Sequence, residues 1–207
     1  MKKIKLGEVS TITKLAGFEH TNYIQKNCSK TKNTKYNIPL FIGRTIRDGN
    51  LDEKDYEWFI PESISDKLLR SQLTKKCLIM PYVGTIGDIA IFDKNYKCHL
   101  GSNVAKITLN NNDIFLEEYI YYYLKSPTGQ LQLQKHIQGA IQKNITMEKL
   151  RDIEIELLSM EKQKKIVSIL KNIDDQIKRN NDMVQKLQSF NYTKSCFSWK
   201  GEMRYAC

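Results

Sequence analysis

No two cysteines stand at C-x-x-C spacing among the five at positions 28, 77, 98, 196 and 207. An odd count without a paired pattern argues against a disulfide framework and for a reduced, cytoplasmic setting. Histidine is scarce and scattered, at 20, 99 and 136. Cys98-His99 offers two adjacent ligands with no second pair, a poor zinc pattern, so no metal and no cofactor is expected. No run approaches the roughly 18 apolar residues that a membrane span needs. The basic start, Met1-Lys-Lys-Ile-Lys5, passes at once to Gly7, Glu8 and Ser10 without the apolar segment of a signal peptide. Catalytic constellations are missing too: no G-x-S-x-G, no Walker loop, no H-E-x-x-H, no methyltransferase cofactor loop. Asp52-Glu-Lys54 has no supporting acidic residue on an upstream strand and reads as a polar turn. These absences leave binding, not catalysis, as the expected role.

What is present is positive charge. Lys and Arg number 33 against 23 Asp and Glu, a net charge of +10. Such an excess suits a polyanion, nucleic acid before membrane. With 41% hydrophobic residues in 207, the chain has apolar material for one domain of about 150 residues and a helical extension.

In chain order, residues 4–12 read as a short strand and 13–37 as a long polar loop, of a length that is either functional or disordered. Residues 39–44 form the first clear strand, 47–50 a turn, 56–60 another strand and 64–70 a helical turn. The β signal peaks at residues 78–83 and 88–92, separated by Gly84-Thr-Ile-Gly87; glycines three apart predict a tight hairpin. A GXXG loop gripping single-stranded nucleic acid would have to join two helices, and here the flanks are β-rich. Residues 103–109 alternate as a half-buried strand. Helices follow at 116–125 and, after Ser126-Pro127, up to about 137. Tyr119, Tyr121, Tyr122 and Tyr123, at helical spacing, read as core rather than as base-stacking groups. A short helix at 147–150 and a strand at 153–157 lead to Ser159, a plausible N-cap.

From residue 160 to 187 the pattern is different. Ile166, Leu170, Ile173, Ile177, Asn180, Val184 and Leu187 recur at alternating steps of four and three, a coiled-coil seam. No Gly or Pro interrupts it, and at 1.5 Å per residue the helix is roughly 42 Å long. Nothing else in the chain offers a partner of matching length. A polar residue such as Asn180 within a seam restricts register and orientation, which favours pairing with another chain.

Several pieces, in order, resemble the specificity subunits of type I restriction–modification systems. They are Leu6-Gly-Glu-Val9, Phe41-Ile-Gly-Arg-Thr-Ile-Arg-Asp-Gly-Asn-Leu51, Leu78-Ile-Met-Pro-Tyr-Val-Gly-Thr-Ile-Gly-Asp-Ile-Ala-Ile91 and Gly101-Ser-Asn-Val-Ala105. The last block runs from Gly139 through Asn144 and Leu150-Arg-Asp-Ile-Glu-Ile-Glu-Leu157 into Glu161-Lys-Gln163 and the heptad helix. The resemblance implies an α+β chain: a mixed β-rich target-recognition domain with packed helices at 1–157, then one long coiled-coil spacer and dimerisation helix at 158–190. The tail, 191–207, is atypical of the family, whose members continue helically there or enter a second recognition domain. It implies a non-catalytic subunit that reads one half of a bipartite double-stranded DNA target. Its implied partners are methyltransferase subunits and, through that core, restriction subunits. One recognition domain and one helix, where the family usually has two of each, imply an antiparallel homodimer through the spacer. Alternatives are a truncated or silent-cassette fragment with a non-productive or regulatory role, or a non-catalytic nucleic-acid-binding module of another kind.

For DNA contact the candidates are Lys14, Lys30, Lys32 and Lys35 in the polar loop and Lys94 and Lys97 beside the hairpin, all toward phosphate. Arg44 and Arg47 are candidates for base edges or backbone. Gly84 and Gly87 are assigned to turn shape.

Overall fold

A computed structural model describes residues 2–47, 49–51, 56–111, 113–139 and 143–202, apart from the side chains of Arg44, Arg47, Asn50 and residues 189–202. The chain divides into two compact units, 1–164 and 165–207.

Unit 1 opens with β1 (Lys3–Lys5), α1 (Leu6–Val9), β2 (Ser10–Lys14) and α2 (Gly17–Glu19), which continues as a wide helical turn over His20–Ile24. Then come β3 (Ile38–Phe41), β4 (Ile46–Arg47), β5 (Asn50–Leu51), β6 (Phe59–Ile60), α3 (Glu62–Ser65) and β7 (Gln72–Leu73). The rest of the sheet-forming chain is β8 (Cys77–Pro81), β9 (Ala90–Phe92), β10 (Cys98–Leu100) and β11 (Val104–Leu109). Helices α4 (Glu117–Lys125), α5 (Pro127–His136) and α6 (Met147–Arg151), with β12 (Glu154–Glu156), precede α7 (Met160–Glu202).

Two four-stranded sheets carry the unit, ordered β2-β11-β8-β9 and β6-β3-β10-β7. The first is antiparallel throughout; in the second, β3 and β10 run parallel, with Leu40 opposite His99 and Phe41 opposite Leu100. Phe41, Leu73, Ile79, Phe92, Leu100 and Val104 close the core shared by both sheets. The other face of the second sheet buries Ile38 and Leu40 against Leu15, Ile24, Ile64 and Leu68. Successive strand residues point to opposite faces, so β3, buried on both, must read as the continuous apolar run seen in the sequence. Helix α4 packs on β8 and β9, burying Tyr119 and Tyr121 and leaving Tyr122 and Tyr123 half-buried. Ser126 accepts from the Gly129 N–H ahead of α5, with Pro127 at its first position.

Three local readings are corrected. Residues 4–12 are not one strand: Leu6 and Val9, three apart and both buried, share a side only in a helical turn, and α1 supplies it. The polar stretch 13–37 is not all loop, because Leu15 and Ile24 pin the turn 17–24 onto the second sheet. The hairpin of β8 and β9 is present, but its connection takes all of residues 82–89 rather than a tight turn. Gly84 and Gly87 adopt φ of 86° and 105°, a region open to glycine and strained for other residues. Asp52, Glu53 and Lys54 lie outside the described residues.

Unit 2 is the continuation of α7. Ile173, Ile177, Val184 and Leu187 are between 46% and 60% exposed, Asn180 is exposed among them, and Ile166 and Leu170 are partly covered. The helix runs on through Glu202, beyond the 158–190 span expected for the spacer. No proline occurs after residue 127 and no glycine between 140 and 200, so nothing in that span breaks the i to i−4 ladder. Among the described residues no helix is long and apolar enough to cross a membrane.

Candidate nucleic-acid interface

Three chain reversals meet at one edge of unit 1. They are the turn Gly43–Thr45 after β3, the 82–89 connection after β8, and residues 101–103 between β10 and β11. The meeting is enforced by backbone. Gly101 N–H donates to the Phe41 carbonyl at 2.6 Å, and Tyr82 N–H donates to the Asn103 carbonyl at 3.0 Å. A Cβ on Gly101 would lie 2.7 Å from that same Phe41 oxygen, so only glycine permits the approach. Residues 143–145 lace the long connection, with Gly84 N–H on the Lys143 carbonyl at 3.0 Å and Ile145 N–H on the Tyr82 carbonyl at 2.9 Å. Three of the pieces quoted for the family pattern, with Asn144 of the last block, therefore meet at one place in the fold.

Between the reversals and the turn 20–24 lies a cleft of about 590 Å³. Ile24, Leu40, Ile42, Trp58 and Val83 give it apolar walls. His20, Gln25, Thr85, Ser102 and Asn103 bring polar side chains, and among the described residues no Asp or Glu lines it. Trp58 packs against the core cluster of the second sheet, which fixes its ring. Asn103 holds a positive φ of 65°, which presents a short amide at the turn's tip.

The candidate cations are distributed unequally about this cleft. Lys30 Nζ lies 5.2 Å from the centroid of Trp58, a lining residue, and Lys14 Nζ lies 4.8 Å from that of Tyr82, next to lining residue Val83. Such exposed cation–ring contacts are worth about 0.5–1 kcal/mol, so either ammonium is readily lent to a phosphate. Lys35 sits over Tyr36 at 5.2 Å. Lys32 borders a second, smaller hollow with Tyr56, Tyr96 and Lys97. Lys97 is held by Glu62 at 2.9 Å and Asp66 at 2.8 Å, and its ammonium keeps the Asp66 carboxyl below its ordinary value. Lys94 is partly covered in the 93–97 connection. Arg44 and Arg47 belong to the turn after β3 and to β4; their side chains lie outside the described residues.

Cys98 and His99, adjacent on β10, face opposite sides of their sheet. Cys98 Sγ donates to the Pro39 carbonyl at 3.1 Å, and burial pushes its thiol up to about 12. His99 is buried with Nδ1 2.8 Å from the Leu100 carbonyl and Nε2 3.3 Å from that of Leu68, and burial lowers its pKa. Among the described residues no cluster of His, Cys, Asp or Glu is placed to hold a metal ion. Trp58, His20, Gln25 and Asn103 were not singled out from sequence. Of these, Asn103 lies inside the quoted Gly101–Ala105 piece, while Trp58, His20 and Gln25 lie outside every quoted piece.

Similarity to known proteins follows the same architecture. The chain is 25% identical over 164 residues to the type I restriction enzyme EcoBI specificity subunit of Escherichia coli, a span of 74% of this chain and 34% of that protein. Its fold is like that of the type I restriction–modification S subunit from M. genitalium, with TM-score 0.58 and 17% identity, covering 86% of this chain and 40% of that one. The HsdS subunit from Thermoanaerobacter tengcongensis gives TM-score 0.59 and 19% identity over 85% and 38%. The chain thus spans about a third to two-fifths of the length of these relatives. Residues 1–189, sheets and seam together, match the type I restriction modification DNA specificity domain, and the chain belongs to that family.

Proposed function

We propose that this chain is a non-catalytic DNA-reading subunit of a type I restriction–modification system, working in the cytoplasm and recognising one half of a bipartite double-stranded target. The family match across residues 1–189 carries this reading, since it takes in both the sheet unit and the seam helix. The net charge of +10 and the lysines around the cleft supply the phosphate-binding side of the interface. In the finer form of the reading, two copies pair antiparallel through the seam from Ile166 to Leu187. The stretch of α7 from residue 160 to 187, roughly 42 Å, exceeds one duplex turn of about 34–36 Å, a separation at which two modules meet successive major grooves. The paired chains then hold methyltransferase subunits, and restriction subunits join that core.

The test is a methylation map of host DNA by long-read sequencing, with the chain co-expressed beside a methyltransferase subunit of the same system. A new palindromic, bipartite adenine-methylated motif is the expected result. Soluble, co-purifying protein without any new methylation would overturn the reading and leave a non-productive partner.

A further inference from the structure

The cleft has more structure than phosphate contact requires. A duplex shows a protein its groove edges and its backbone, while the faces of its bases stay stacked. Apolar walls and a fixed indole are complementary to a face, not to an edge. The polar side chains of Gln25, Thr85, Ser102 and Asn103 have no hydrogen-bond partner among the described residues. Amides and hydroxyls placed around an apolar slot are what the donor and acceptor edge of a heterocycle needs. Lys14 and Lys30, parked on Tyr82 and Trp58 where no carboxylate lines the cleft among the described residues, can meet a negative group at the mouth.

We propose that this cleft binds one unstacked nucleobase with its attached phosphate, the base against Trp58 and its edge read by Gln25 and Asn103. Lys30 leaves the indole face as the base arrives and meets the phosphate. Two sources share this chemistry: a nucleotide turned out of bound DNA, and a free nucleotide. The first source rests on the DNA-reading function proposed above; the second does not.

The experiment follows backbone amide correlation spectra of the full chain. Separate titrations use each of the four deoxynucleoside monophosphates, inorganic phosphate alone, a duplex with one unpaired nucleotide, and the same duplex fully paired. At least one monophosphate is expected to shift amides of residues 20–25, 83–85 and 101–103, where inorganic phosphate does not. Asn103→Gly, which suits the positive φ, combined with Gln25→Ala should weaken that monophosphate about tenfold without changing the melting temperature. If no monophosphate moves these amides, if inorganic phosphate moves them equally, or if the double variant binds unchanged, the proposal is overturned. Tighter binding of the duplex with the unpaired nucleotide identifies DNA as the source. Monophosphate binding without that preference identifies the free nucleotide. A silent cleft in a chain that still directs methylation removes this inference and leaves the DNA-reading function standing. A responsive cleft in a chain that binds no duplex and directs no methylation does the reverse.

Discussion

Unit 1 and unit 2 dispose of their apolar residues in opposite ways. Unit 1 buries Phe41, Phe92, Ile79 and Leu100 completely between two sheets and covers the outer face of β3 as well. Unit 2 carries Ile173, Ile177, Val184 and Leu187 about half exposed on a single helix. The first can be stable alone, because its apolar surface is already out of water. The second has a stripe whose burial another helix must supply, since isolated helices gain little from propensity alone. The proposed recognition and the proposed pairing thus rest on separable parts of one chain.

The sharpest way to break the contrast is to strike the core of unit 1. Phe41→Ala removes a ring that meets Tyr56 and Phe92 edge-on at 5.5 Å and 6.5 Å. It should cost about 3–5 kcal/mol, read as a lower urea midpoint for the near-ultraviolet signal.

Gln163 gives a smaller effect at the start of α7, inside unit 1. Its Nε2 donates to the carbonyls of Ile114 at 2.8 Å and Leu158 at 2.9 Å, and its Oε1 accepts from Leu116 N–H at 3.0 Å. Gln163→Leu leaves those groups without their partner and should cost about 1–3 kcal/mol, seen as faster amide exchange at Leu116. Gln163→Glu, which keeps an acceptor for Leu116 but loses both donors, should not restore stability.

Acid supplies a milder test. His99 has its pKa lowered from 6.5 by burial, so the unfolded chain binds the proton more readily than the folded one. Stability is therefore full above about 6.5 and falls as pH drops from there toward the folded value. Melting curves across that range should show the fall, and His99→Gln should flatten it.

The smallest expected change in unit 1 comes from Ile173→Asp. A charge in the seam should convert a sedimenting dimer to a monomer while moving the unit 1 melt by less than about 0.5 kcal/mol. A native chain that sediments as a monomer at tens of micromolar would instead remove self-pairing.

Legibility in the sequence tracked how many residues carried each signal. Strand β8 and the seam helix are long and uniform, and both were readable at once. Strand β7 has two residues, and β10 reads Cys-His-Leu, so neither presents a period. The turn 17–24 was hidden because few apolar residues, Leu15, Tyr23 and Ile24, anchor a polar surface. The cleft was legible only as separate motifs. That Gly43, Gly84 and Gly101 share an edge depends on β3 lying parallel to β10 and β11 antiparallel to β8, pairings between residues distant in sequence. Trp58, outside every motif, had no signal of its own.

The pairing of β1 with β12 sets Lys3 against Glu156 and Lys5 against Glu154, so the first strand of unit 1 closes on nearly its last residues. On a growing nascent chain, β1 must wait through the synthesis of everything between, and unit 1 is complete only once β12 has emerged. The helix that follows forms from neighbours along the chain and waits for nothing. Each newborn polypeptide can therefore finish the sheet unit before it exposes the apolar stripe of α7. Synthesis order thus sets burial of the sheet core ahead of exposure of the stripe.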